Sequence, residues 1–97
     1  MATEPIQCLG NAWEKDWLDD HGGDHDAYPR EDRVAQSQII RTYYQDLGVT
    51  VFLVRFQEHD DRAVCLACSC SAGYTLYLLV RDGDVETMRQ QGYRPAG

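Results

Sequence analysis

The chain has one lysine, no apolar run near the roughly 20 residues that cross a bilayer, and no internal repeat or low-complexity tract. Each absence removes a class. No membrane-spanning helix is expected. With a net charge of −7, the surface lacks the positive field that phosphate binding needs, so direct nucleic-acid binding is not expected. The opening "MATEPIQCLGNAW" has neither the basic n-region nor the apolar h-region of a signal peptide. A mature form restarted at Met1 would lack them too, so the compartment stays open. No G-x-S-x-G, P-loop or G-x-G-x-x-G is present. Ser37, Ser69 and Ser71 have no nucleophile context, and the paired Asp60 and Asp61 fall in a polar turn. No catalytic residue is therefore assigned, and no base, orienting group and oxyanion donor assemble into an enzyme site.

What is present is acid, aromatics and four cysteines. Residues 1–33 carry six Asp and three Glu against one Lys and two Arg, so the acidity belongs to the N-terminal third. Asp outnumbers Glu, and Arg far outnumbers Lys. That bias suits a high-salt cytoplasm or GC-rich codons, and it accounts for the charge without any function. A functional reading is attraction of a basic protein partner, in the limit as an acidic inhibitor of a nucleic-acid-binding protein.

At 97 residues the chain makes one domain. Within it, an acidic segment over 1–30 precedes an α-β-β-β-α body over 31–97. Asn11, with Glu14 three residues on, opens a short helix over 11–20, whose Trp13 and Trp17 share a face and pack onto the body. Residues 19–28 form a loop. Apolar positions from Val34 to Leu47 make a wide helical stripe over 31–47, with Pro29, Glu31 and Asp32 at its start and Gly48 at its end. Residues 49–56, "VTVFLVRF", read as a strand apolar on both faces, hence inside a sheet. Residues 63–70 and 74–80 follow as strands of a meander. A last helix over 84–91 has Asp84 as its cap and Gly92 as its stop. The order gives an α+β fold: a small antiparallel sheet of about three strands with helices on one face.

The stretch "AVCLACSCSAGY" holds Cys65, Cys68 and Cys70, and the fourth cysteine is Cys8. Four readings compete. An oxidised framework would tie Cys8 to one of the cluster, closing a loop of roughly 60 residues, with Cys68 and Cys70 able to join across one residue. Zinc is the metal that four thiolates would select, with His59 able to replace one, although C-x2-C occurs only once. A redox couple would use Cys65 and Cys68, but the motif does not open a helix. Buried thiols in a core strand are the plain alternative. A weaker metal candidate is the loop carrying Asp19, Asp20, His21, Asp24, His25 and Asp26, whose spacing matches no calcium loop.

From Cys65 onward the chain resembles short uncharacterised bacterial proteins that are exported or lipid-anchored. The resemblance rests on Cys65, Cys68, Cys70, Gly73, Leu76, Tyr77 and the Gly92–Tyr93 end, about a third of the chain. Ser71 stands where those proteins usually carry Pro. The resemblance implies an extracytoplasmic setting and a cysteine cluster that matters, and no activity. The expected function is a non-catalytic binding module stabilised by cysteine crosslinks. The alternatives are a domain binding zinc or another thiophilic metal such as Cu(I), and an acidic inhibitor of a basic nucleic-acid-binding protein.

Overall fold

The computed structural model describes residues 1–59 and 67–95. Its elements run β1 (Ala2–Thr3), α1 (Ala12–Asp20), α2 (Arg33–Asp46), β2 (Val51–Glu58), β3 (Tyr74–Val80) and α3 (Val85–Gln90). Two single 3-10 turns lie at His25–Ala27 and Asp82–Asp84. The sheet is antiparallel in the order β1-β3-β2. The fold is α+β, as the element pattern implied.

β3 alternates with period two. Tyr74, Leu76, Leu78 and Val80 point into the core, while Leu79 faces solvent. Ile40 and Tyr44 of α2, Met88 of α3 and Trp13 of α1 cover the inner face. A second, smaller cluster of Leu9, Leu18 and Tyr28 joins α1 to the following loop.

The helix ends follow local chemistry. The Asp32 carboxylate accepts from the Ala35 N–H (3.0 Å) and so starts α2 at Arg33, two residues later than the sequence suggests. Gly48, at φ +87°, closes α2. Its N–H donates to the Gln45 carbonyl while the Val49 N–H donates to that of Tyr44. At α1 the Glu14 carboxylate reaches back to the Asn11 N–H (3.1 Å), the reciprocal half of a capping box. Asp84 departs from expectation. Its carboxylate does not cap α3 but accepts from the Thr50 N–H (2.8 Å) and from Arg81 (3.2 Å), pinning the residue before β2 to the turn that leads into α3.

Two strand expectations change. β2 is not an interior strand: β3 is the central one, and Phe52, Leu53 and Leu79 are exposed on the sheet. A register shift between Val51 and Leu53 inserts Phe52 as an extra residue, which splits the apolar run between the two faces. The strand expected over 63–70 lies outside the described residues as far as residue 66, and residues 67–70 form a turn. The third strand comes from the N-terminus instead. Ala2 and Thr3 pair with Tyr77 and Leu76, and Ala2 also bridges Arg94.

Candidate functional site

The N-terminal segment does not stop at β1. The Ala72 N–H donates to the Pro5 carbonyl (2.8 Å), the Gln7 N–H donates to the Cys70 carbonyl (2.9 Å), and Ile6 stands opposite Ser71. This antiparallel approach carries Cys8 to the turn that holds Cys68. Their Cα atoms are 5.2 Å apart and a disulfide joins them, across a sequence separation of 60. Cys8 and Leu9 both take left-handed φ (65° and 56°), a conformation L-residues rarely adopt, and so turn the chain sharply out of the ladder. Leu9 is buried behind the bond, and Asn11 then starts α1.

The cysteine readings sort accordingly. Cys68 bonds Cys8, so the short Cys68–Cys70 bridge and the Cys65–Cys68 redox couple are not the pairings formed. Cys70 is also disulfide-bonded. Cys65 lies outside the described residues. In this oxidised state Cys8 and Cys68 offer no thiolate to a metal. His59, the reserve ligand, shares a hydrogen bond with Thr75 through Nε2 (2.7 Å).

The acidic loop is used locally. The Asp24 carboxylate accepts from the N–H groups of Asp26 and Ala27 and caps the 3-10 turn. His21 stacks on Trp17 with ring centroids 3.8 Å apart and donates from Nδ1 to the Trp17 carbonyl. His25 donates from Nδ1 to the Gly23 carbonyl. Asp20 ends α1, and Asp19, Asp20 and Asp26 are exposed. Among the described residues no three His, Cys, Asp or Glu side chains are grouped to hold a metal ion.

Beside the disulfide lies a recess of about 260 Å³ reached by Glu14, Tyr28, Arg33, Gln36 and Tyr74. Burial pushes the Glu14 carboxyl above its ordinary range, against the pull of its hydrogen bonds from Asn11. Burial also raises the Tyr28 phenol and pushes Tyr74 up to about 12. The Arg33 guanidinium lies over the rings of Phe56 (4.7 Å) and Tyr74 (4.3 Å) and pairs with Glu58. The Gln36 amide donates to the carbonyls of Pro29 and Arg30. These bonds run back into the protein, so the recess is chiefly a packed polar seam under the disulfide.

A larger groove, about 500 Å³, opens between α1 and α2. Along α2 it is lined by Ala35, Gln38, Ile39, Thr42, Tyr43 and Asp46, a spacing of three and four residues that keeps one helical face. Trp17, Asp16 and Asp20 of α1 form the opposite wall, and among the described residues no lysine or arginine lines the groove. The sequence stripe hid this face. The adjacent pairs Ile39–Ile40 and Tyr43–Tyr44 point two ways: Ile40 and Tyr44 into the core, Ile39 and Tyr43 toward the groove. Doubled apolar residues at helical spacing were the available signal.

No family model, no curated protein and no solved structure matches the chain. Among the described residues no helix is long and apolar enough to cross a membrane.

Proposed function

We propose that the chain is a non-catalytic binding module working outside the cytoplasm, with the α1–α2 groove as its binding surface. The observation that carries this reading is the Cys8–Cys68 disulfide. Such bonds persist in oxidising compartments. This one fastens the segment that leads into α1, and α1 is one wall of the groove. The C-terminal resemblance to exported bacterial proteins agrees with the same setting. A binding role fits a site whose side chains are aromatic, aliphatic and acidic, with its titratable groups on the rim.

The test is intact mass of the purified chain. A gain of about four mass units on reduction, with a native mass unchanged by chelator, supports the crosslinked module. No gain on reduction, together with one zinc lost to chelator, overturns it in favour of the thiolate metal site.

A further inference from the structure

We infer that the α1–α2 groove seats a basic amphipathic helix of a protein partner, about three turns long. This assignment rests on the groove being the binding surface.

Three observations select that occupant. The first is length. The lining positions run from Ala35 to Asp46 along α2. At about 1.5 Å per residue that is a floor of roughly 16 Å, or three helical turns. The second is chemistry. Ile39, Tyr43 and Trp17 are partly buried and offer an apolar and aromatic seat, the kind of surface that takes anchors at i, i+3 and i+4 of an incoming helix. Asp16, Asp20 and Asp46 are exposed around it, so an anchored helix whose remaining positions are Lys or Arg meets carboxylates on both sides.

The third observation concerns where those carboxylates sit. Asp20 is the last residue of α1, and Asp46 is the last residue of α2. A helix C-terminus carries partial negative charge and favours a cation, yet neither helix has a basic residue in its last turn. Asp20 and Asp46 both line the groove, so each helix sets a carboxylate there beside its own partly negative C-terminal end. Each is disfavoured in the free protein and relieved by a cationic partner. A second copy of this acidic chain would bring more carboxylate to the groove, and an acidic or neutral partner would leave the repulsion in place.

The experiment uses the oxidised full chain and three synthetic peptides of about 14 residues, followed by backbone amide shifts. The first carries leucines at i, i+3, i+4 and i+7 with lysine and arginine elsewhere. The second keeps the leucines and replaces the basic residues by glutamate. The third keeps the basic residues and replaces the leucines by serine. The first peptide is expected to bind with shifts centred on Ala35, Ile39, Thr42 and Tyr43. The variant Asp16→Asn/Asp20→Asn/Asp46→Asn, all exposed positions, is expected to weaken it about tenfold at low salt. The other two peptides are expected not to bind. Equal binding of the glutamate peptide, no loss in the triple variant, shifts elsewhere on the surface, or a dimer that closes the groove would each overturn the inference. The intact-mass result separates the two claims. A disulfide-bonded chain that ignores the basic peptide loses this partner and keeps the crosslinked module, whereas a chain without the bond loses the module itself.

Discussion

The Tyr44 hydroxyl donates to that of Tyr93 across 2.9 Å, and the two buried rings meet edge to face with centroids 5.7 Å apart. This pair ties α2 to the C-terminal end of the chain, beyond α3. Burial pushes the Tyr44 phenol up to about 12 and raises Tyr93 further, so both stay neutral and bonded at any physiological pH. Tyr93→Phe leaves the Tyr44 hydroxyl buried without its partner. We expect a loss of about 2 kcal/mol, read as a fall in Tm on the order of 10 °C. Glu14 gives a pH signature. Its folded pKa lies above the ordinary 4.5 because burial disfavours the carboxylate. The folded state therefore holds more protons than the unfolded chain between 4.5 and that raised value, and this group adds stability as pH falls through the window. Glu14→Gln removes the charge and keeps an acceptor for the Asn11 N–H. The variant should melt above the wild type at neutral pH, with the gap closing as pH falls toward 4.5. A gap independent of pH would show that Glu14 is not desolvated in the folded protein.

Among the elements, α2 does two jobs. Ile40 and Tyr44 build the core, and the residues one position earlier line the groove. Asp46 stands against its dipole, so Asp46→Asn is expected to stabilise the chain by about 0.5 kcal/mol in urea unfolding at low salt, an effect that fades as salt is added. The same substitution should weaken the basic peptide. Loss of stability instead would mean that Asp46 has a stabilising partner. The elements were legible in proportion to their local signals. The Asn11–Glu14 pair, Asp32 and Gly48 mark helix ends through bonds formed within a few residues, and the sequence shows them. β1 has two residues and no periodicity, so it was invisible, and its pairing with β3 depends on contacts some 75 residues away. β2 was legible as a strand but not as an edge. Alternation tells which side chains share a face and says nothing of which neighbour pairs, and the extra residue at Phe52 scrambles the alternation itself. The groove was hidden for the same reason, because one apolar stripe served two surfaces.

At the scale of the whole molecule, the N-terminal third is held by β-pairing to β3, by the backbone bonds of Pro5 and Gln7 to residues 70–72, by Trp13 in the main core, and by the Cys8–Cys68 bond. The sequence suggested a helix packed on the body through its tryptophans and a covalent tie through Cys8, and the structure adds the backbone pairing of β1 with β3. In the chain-entropy account a closure of this length contributes about 4 kcal/mol. That is a large share of the roughly 5–15 kcal/mol that holds a domain of this size. Cys8→Ser/Cys68→Ser should therefore lower the urea midpoint sharply while leaving the fold recoverable at low temperature, with Trp13 still shielded. The covalent closure of the fold depends on which sulfurs are joined. Thiol-blocked, unreduced protein cut with trypsin, then fragmented by electron transfer, should give residues 1–15 linked to residues 63–81 through Cys8 and Cys68. A blocked, unlinked Cys8, or a bond from Cys8 to another cysteine, would contradict it.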